Sequence, residues 1–306
     1  ILPDDDGADG TEVYYALAAS SKLTCHMDEV LNILVSQKSS DYEATMKSLS
    51  GKRFERGAVL YQERCRLFPY PDACGYEALL GAQTVTLRPS WKLRLTPRHL
   101  CPSEHPSKRL CFASLTYRRP GTDSAVHLVK TLPQRIYDQI TPVGYCSVFR
   151  HDGNHLGISF DVATKTNSYG ETRTKIFVLA YVAGPRLDSS MASLQSKHVV
   201  KLFMQQLREF ERVIRRRRFG YLSLQQNPLN RVPDNRCQIC LKCFSLFRRE
   251  LHCQICGRLA CSACLLLYEV ENRIGEVRKE RVCRDCVSRV NSCTFAEAPF
   301  DLLGGL

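Results

Sequence analysis

The chain lacks the sequence features of membrane-spanning proteins and of the common enzyme families. It contains no run of eighteen apolar residues, which is about the length that a transmembrane helix requires. The motifs GxxxxGK(S/T), GxGxxG, HExxH and GxSxG, each of which supports a particular kind of catalysis or nucleotide binding, are also absent. We therefore expect a protein without transmembrane helices, without catalytic residues and without enzymatic activity.

The chain gives little indication of secretion, although it contains 16 cysteines among 306 residues. Its first residues show no secretory signal peptide, and nine of the cysteines fall between Cys237 and Cys286 at spacings typical of metal sites. Disulfide frameworks belong mainly to oxidising compartments, whereas thiolate metal sites persist in reducing ones. The cysteine pattern therefore favours a cytoplasmic protein over a secreted, disulfide-linked one.

Four Cys-x2-Cys pairs dominate the C-terminal part of the chain. A Cys-x2-Cys turn presents two thiolates to one zinc ion, and zinc takes four ligands in a tetrahedron. Eight thiolates are enough for two closed sites, which leave no coordination position for a reacting water molecule. The sequence thus predicts two structural Zn²⁺ ions. The candidate ligands are Cys237, Cys240, Cys253, Cys256, Cys261, Cys264, Cys283 and Cys286.

The spacing of these pairs resembles that of a FYVE zinc finger. Twelve residues separate Cys240 from Cys253, Gly257 follows the second pair, and Arg281 and Val282 precede the last one. In that family the pairs interleave, so the first and third pairs hold one ion and the second and fourth pairs hold the other. The resemblance therefore implies one group of Cys237, Cys240, Cys261 and Cys264 and a second group of Cys253, Cys256, Cys283 and Cys286.

The resemblance also implies recognition of phosphatidylinositol 3-phosphate on endosomal membranes through basic side chains beside the second pair. Three positions of the basic motif depart from the family, because they carry Glu250, Leu251 and Gln254, and Arg231 replaces a tryptophan upstream. Phosphate binding depends on charge-assisted donors. We therefore expect a peripheral endosomal protein whose headgroup binding is weaker or less selective than in the family. The candidate headgroup residues are Arg248, Arg249, His252 and Arg281.

Two apolar residues, Leu246 and Phe247, precede the basic motif and correspond to the membrane-inserting loop of the family. An apolar pair beside arginines suits a loop that enters the bilayer interface while its bases meet anionic lipid. The alternative is that both side chains pack beneath the zinc sites. Cys243 leaves another alternative open, because a pair formed by Cys240 and Cys243 would shift the register of the first zinc site.

The first two thirds of the chain predict a separate α+β domain. Residues 11 to about 50 are expected to be helical. Apolar positions from Val13 to Leu34 indicate a first helix, and a second short helix is expected from Ser39 to Leu49. An apolar stripe indicates a long helix from Ser189 or Ser190 to about Arg218, which Gly220 ends. Between these helices, connections too short for parallel crossovers predict an antiparallel sheet. Its expected strands are 58–61, 84–87, 91–95, 110–117, 126–129, 145–149, 157–162 and 175–182.

This order of elements resembles the START-like helix-grip domain, in which a curved antiparallel sheet holds a long C-terminal helix. The resemblance implies a cavity between sheet and helix that holds one lipid molecule. We expect the fold class to be α+β with two domains. The expected boundaries are a START-like domain at 11–220, a linker at 221–235, a FYVE-like finger at 236–290 and a tail at 291–306.

The net charge of +12 is concentrated near the finger, where residues 208–289 contain 18 Lys or Arg and 9 Asp or Glu. A basic surface of this kind favours anionic partners. The run from Arg215 to Arg218 is either part of that surface or a solvated helix end that complements the helix dipole. The charge by itself does not decide between these two interpretations.

We favour a zinc-binding adaptor that binds phosphoinositide-containing membranes and possesses a START-like domain able to hold a lipid. One alternative is a RING-like ubiquitin ligase, since RING domains share the interleaved plan; their ligands usually include histidine, whereas all eight here are cysteine. Another is a protein-interaction scaffold without lipid specificity, whose protein partners the sequence does not identify. Nucleic-acid binding lacks a readout surface of interleaved aromatic residues, so we expect no specific nucleic acid.

Overall fold

The computed structural model describes residues 12–68, 75–88, 108–140, 146–147, 154–184, 190–225, 235–246 and 248–292. Within these ranges the chain forms a large sheet with helices and then a small cysteine-rich finger. None of the helices in these ranges combines the length and apolarity that crossing a bilayer requires.

After residue 26 the elements of the first domain follow the predicted order of helices, strands and a C-terminal helix, except that a helix at Gln134–Ile140, which the sequence does not predict, lies among the strands. They are β1 (Glu12–Leu23), α1 (Met27–Leu34), α2 (Ser39–Ser50), β2 (Phe54–Leu67), β3 (Tyr76–Leu87), β4 (Lys108–Arg118), β5 (Ser124–Thr131), α3 (Gln134–Ile140), β6 (Cys146–Ser147), β7 (His155–Thr166), β8 (Thr172–Gly184), α4 (Ser190–Gln206) and α5 (Phe210–Gln225). The finger contains β9 (Glu250–His252), β10 (Leu259–Cys261), β11 (Leu265–Glu271), β12 (Val277–Cys283) and α6 (Arg284–Asn291).

The large sheet is antiparallel, as predicted. Its strand order is β1-β8-β7-β5-β4-β3-β2, and short β6 adds a parallel pairing to the start of β4. Most neighbours in the sheet are also neighbours in the sequence, so hairpins make most of the connections. The predicted strand at 91–95 lies outside the described residues, and of the one at 145–149 only β6 is described.

The first predicted helix is wrong for residues 12–23, which form the edge strand β1, and it is confirmed for Met27–Leu34, which form α1. The strand β1 pairs with β8 from Glu12 opposite Gly184 to Leu23 opposite Thr174. Burial along it alternates with a period of two over its second half, which is the pattern of a strand with one covered face. The exposed edge of β8 supplies the hydrogen bonds, and this tertiary pairing outweighs the helical preference of the alanines. The second predicted helix is confirmed as α2.

The core lies between the inner face of the sheet and the C-terminal helices. The ring of Phe112 on β4 meets Phe203 on α4 edge to face, with centroids 5.5 Å apart. Phe160 on β7 stacks against Phe210, the first residue of α5, with centroids 6.5 Å apart. The sheet therefore packs against a long C-terminal helix in the predicted helix-grip arrangement.

The C-terminal helix differs from the prediction in two respects. A 3-10 turn at Leu207–Glu209 divides it into α4 and α5, and α5 continues past Gly220 to Gln225. Gly220 does not end the helix; it permits close packing, because a Cβ atom there would lie 1.9 Å from the carbonyl oxygen of Glu271. The first five residues of the predicted linker are thus helical, and residues 293–306 of the predicted tail lie outside the described residues.

Candidate zinc and membrane-binding site

The eight cysteines of the finger converge on two points. In each group all four Sγ atoms lie within 4.8 Å of one another. The Sγ atoms of Cys240 and Cys261 are 3.8 Å apart, as are those of Cys256 and Cys283. A tetrahedron with zinc–sulfur distances of about 2.3 Å has edges of about 3.8 Å. The two groups are the interleaved ones, Cys237, Cys240, Cys261 and Cys264 in the first and Cys253, Cys256, Cys283 and Cys286 in the second.

Backbone N–H groups favour the thiolate form, which zinc requires, at one sulfur of each group. The backbone N–H of Cys261 donates to Sγ of Cys237, and that of Cys283 donates to Sγ of Cys253, each over 3.3 Å. Burial raises the pKa of Cys237, but backbone donors, among them Cys240, outweigh burial and lower this pKa to about 6. The donor set therefore fits two Zn²⁺ ions, and the exposed Cys243 belongs to neither group.

Both zinc sites begin with the same tight turn, but a different residue closes each turn. The N–H of Leu241 donates to the carbonyl of Cys237 over 2.7 Å, and the N–H of Gly257 donates to that of Cys253 over 2.8 Å. Both closing residues have positive φ, 60° at Leu241 and 73° at Gly257. Glycine adopts this conformation without steric cost, whereas leucine does not.

The predicted headgroup residues lie on β9, just before β9 and on β12, and hydrogen bonds between Gln254 and Arg281 join these segments into one edge of the finger. Arg249, His252 and Arg281 are exposed, while Arg248 is partly buried and donates to the carbonyl of Cys243 over 3.3 Å. Among the ion pairs of the described residues, none involves these four side chains. Their assignment to a lipid headgroup remains a prediction.

Two of the departures from the family motif have a structural explanation. Leu251 packs against the core of the finger, so an apolar side chain suits this position. Gln254 joins β12 to the second zinc turn: its N–H donates to the carbonyl of Arg281 over 2.9 Å, and its Oε1 accepts from the N–H of Arg281 over 2.5 Å. Gln254 therefore fixes the backbone of Arg281 where the family has a cationic side chain. Glu250 is exposed, and it adds negative charge to this edge.

The apolar loop before β9 projects away from the finger. Leu246 is 92% exposed, and hydrogen bonds between Ser245 and Arg248 close the turn that presents it. The alternative in which Leu246 packs beneath the zinc sites is therefore wrong. Phe247, the second predicted insertion residue, lies outside the described residues.

The arginine run on α5 is neither a solvated helix end nor a lipid-binding surface. Arg216, Arg217 and Arg218 are only 3%, 7% and 4% exposed. Arg216 donates to Glu271 of β11 over 2.7 Å, and Arg218 donates to Glu29 of α1 over 2.6 and 2.7 Å. Only Arg215 remains partly exposed, where it pairs with Glu211. Both interpretations of the run are wrong for its last three residues.

These arginines join the finger to the first domain. Arg217 contacts Glu271 over 3.3 Å and also donates to the carbonyl of Asn32 and to Thr45 Oγ1. Arg218 donates to the carbonyl of Val290 on α6 over 2.8 Å. Sequence reasoning missed this junction, because nothing in the local pattern shows that Glu271 lies opposite the run. The exposed Leu241 was also missed, although the contrast between Cys-x2-Cys-Leu and Cys-x2-Cys-Gly is visible in the sequence.

Comparison with known protein families matches residues 230–292 to the FYVE zinc finger. This segment is similar to 1-phosphatidylinositol 3-phosphate 5-kinase FAB1 of Saccharomyces cerevisiae, 43% identical over 56 residues, which cover 18% of this chain and 2% of that protein. It is also similar to the lateral signaling target protein 2 homolog of Brugia malayi, 43% identical over 58 residues, 18% of this chain and 9% of that protein. The chain thus spans less than a tenth of the length of either relative.

Two solved structures are similar to the larger part of the chain. The human StarD13 (DLC2) lipid transfer and protein localization domain matches 65% of this chain and 76% of its own length, with 9% identity and a TM-score of 0.39. Human STARD10 matches 65% of this chain and 62% of its own length, with 7% identity and a TM-score of 0.38. The helix-grip fold of the first domain is evident in its own strand order and in the packing of the sheet against α4 and α5. Residues 230–292 are a FYVE zinc finger that binds two zinc ions, and α5 joins it to a helix-grip domain.

Proposed function

We propose that this chain is a peripheral membrane adaptor whose finger binds phosphatidylinositol 3-phosphate on the cytoplasmic side of endosomal membranes. The observation that carries the proposal is the outer edge of the finger. This edge carries the exposed side chains of Arg249, His252 and Arg281, and the chain just before Arg249 forms the apolar tip at Leu246, which is 92% exposed. An apolar tip with cations around it suits an anionic bilayer, where the tip enters the interface and the cations meet phosphate.

The residues at the outer edge of the finger predict moderate affinity for phosphatidylinositol 3-phosphate and limited selectivity for it. A strong phosphate site combines several charge-assisted donors. Here Gln254 stands where the family has a cation, and its side-chain oxygen accepts a hydrogen bond from the backbone N–H of Arg281. The exposed carboxylate of Glu250 repels phosphate. The remaining cations bind anionic headgroups, and their attraction falls as salt screens it.

The test is sedimentation of the full chain with vesicles that contain phosphatidylinositol 3-phosphate, phosphatidylinositol or only neutral lipid. We expect retention by the first kind, less by the second and least by the third. Arg249→Gln combined with Arg281→Gln should weaken affinity for the first kind about a hundredfold or more, because two charge-assisted bonds of about 1.5–3 kcal/mol each are lost.

The matched control replaces two arginines elsewhere in the finger, Arg273→Gln with Arg278→Gln. Both are exposed near the β11–β12 turn, and the change in net charge is the same. This control should keep most of the binding. Equal losses in the two double variants would reduce the interaction to net charge, and equal retention on all three vesicles would leave a scaffold without lipid specificity. The all-cysteine ligand set gives no support to the RING-like alternative.

A second proposed activity belongs to the first domain, which we infer holds one lipid between the sheet and α4. Buried polar side chains on the inner face support this inference: Gln83 donates to Ser114 over 3.2 Å, and Thr116 contacts His127 over 2.7 Å. Ligand pockets combine apolar walls with a few polar groups of this kind. Native mass spectrometry of the purified chain should show one bound lipid. A ligand-free mass after incubation with a mixed lipid extract would contradict this.

A further inference from the structure

The closing residue of the first zinc turn is unfavourable for the fold. Leu241 and Gly257 occupy equivalent positions, with the same hydrogen bond and nearly the same positive φ. Among the described residues Leu241 is the non-glycine residue with positive φ. A Cβ atom in this conformation approaches the backbone closely, so leucine here costs stability that glycine would not.

Packing within the chain does not offset this cost. The side chain of Leu241 is 72% exposed, so little of its apolar surface is removed from water. A strained residue with an exposed apolar side chain has a reason outside the fold, such as contact with another molecule.

The neighbours of Leu241 indicate which kind of molecule that is. Leu246 lies five residues further along the chain and is 92% exposed. Leu266, 54% exposed, follows Cys264, whose Sγ belongs to the same zinc group as that of Cys240. The segment 235–249 contains four basic residues and no acidic ones. Exposed leucines among cations complement an anionic bilayer.

We propose that Leu241 contacts lipid, so that the membrane surface of the finger extends from the apolar loop at Leu246 to the first zinc turn and Leu266. This inference rests on the proposed membrane function and adds a second apolar contact to it. The occupant is the interfacial layer of an anionic bilayer. Such a contact accounts for leucine at a position where the equivalent turn has glycine.

The experiment compares thermal unfolding and vesicle binding of the full chain with those of Leu241→Gly. Glycine removes the backbone strain and the apolar side chain together. The midpoint of thermal unfolding should therefore stay equal or rise by about 2–4 °C, while affinity for vesicles with phosphatidylinositol 3-phosphate falls about tenfold. A structural role for the leucine would instead lower stability and binding together.

Two further variants separate the side chain from the backbone. Leu241→Met keeps an apolar side chain and should bind like the natural chain, whereas Leu241→Asn tolerates positive φ but is polar and should bind like Leu241→Gly. The matched control is Tyr169→Ser, which removes an 89% exposed apolar side chain from the first domain and should leave binding unchanged.

The outcomes distinguish this inference from the proposed function. If the natural chain binds no acidic vesicle, the proposed function is wrong. If it binds and Leu241→Gly binds equally well, only the contact at Leu241 is wrong. A lower unfolding midpoint for Leu241→Gly would also overturn the inference, because the leucine would then serve the fold.

Discussion

The finger has an inner side, which packs against α5 and the first domain, and an outer side, which carries the predicted headgroup residues. The arginines at these two sides have different roles. On the inner side, Arg216, Arg217 and Arg218 are nearly fully buried and bonded to carboxylates. On the outer side, Arg249 and Arg281 are exposed, and no ion pair of the described residues involves them. The inner arginines connect the two domains, whereas the outer ones are available to a ligand.

The difference shows why net charge alone is a poor guide to binding surfaces. Burying a guanidinium is costly unless hydrogen bonds satisfy it. Glu271 accepts from both Arg216 and Arg217, and it also accepts from the N–H of Gly275. Changes on the inner side should therefore alter stability, while changes on the outer side should alter binding to lipid.

The largest effect should come from losing a zinc site, because zinc supports both sides. Structural zinc binding contributes roughly 10–16 kcal/mol in finger peptides, so Cys253→Ser should unfold the finger. It should also abolish vesicle binding, since the outer edge depends on β9 and β12. Zinc analysis should give two ions for the natural chain and fewer for the variant. A folded variant with two bound ions would contradict the assignment of ligands.

The next largest effect is a difference in stability between variants of two glutamates on β11, Glu271 and Glu269, which both pair with arginines of α5. Glu271→Ala leaves Arg216 and Arg217 buried without their carboxylate, and should lower the free energy of unfolding by about 3–5 kcal/mol. Glu269 pairs with the largely exposed Arg212, so Glu269→Ala should cost less than about 1 kcal/mol. Urea unfolding measures both. Similar losses would mean that the buried network adds nothing beyond a surface pair.

The sequence predicts the zinc ligands and the antiparallel sheet well, because local spacing and period carry this information. It assigns β1 to a helix, since the partner that makes Glu12–Leu23 a strand is β8, about 160 residues away. It assigns the arginine run to the surface for the same reason, because Glu29 and Glu271 approach it only in the folded chain. The strain at Leu241 is likewise seen only once φ is known.

A smaller effect, the pH dependence of stability that His127 contributes, tests whether the buried arginines of the inner side couple the stability of the two domains. Burial lowers the pKa of His127 to about 4, below the value of about 6.5 in an unfolded chain. The unfolded state therefore binds more protons between these values, and stability falls as the pH drops from about 6.5 to 4. Between pH 7.5 and 5.5 the loss should be roughly 1.4 kcal/mol. His127→Gln should remove this part of the pH dependence.

Coupling predicts that the finger responds to His127 although the residue lies in the first domain. Zinc release and loss of the sheet, followed in the same heating experiment, should then share one midpoint at each pH. Separate midpoints for the sheet and the finger, with only the midpoint of the sheet shifted by His127→Gln, would contradict coupling. The two domains would then unfold independently in spite of the buried arginines.

The smallest effect concerns the two zinc turns. Gly257 has φ of 73° and open space around its Cα, so Gly257→Ala adds backbone strain and no clash, at a cost of about 1 kcal/mol. Leu241→Ala leaves the strain as it is, because both residues carry a Cβ atom, and its side chain is already 72% exposed. Its free energy of unfolding should change by less than about 0.5 kcal/mol, while its vesicle binding falls. Urea unfolding would contradict this if Leu241→Ala proved as costly as Gly257→Ala, since the side chain would then stabilise the finger itself.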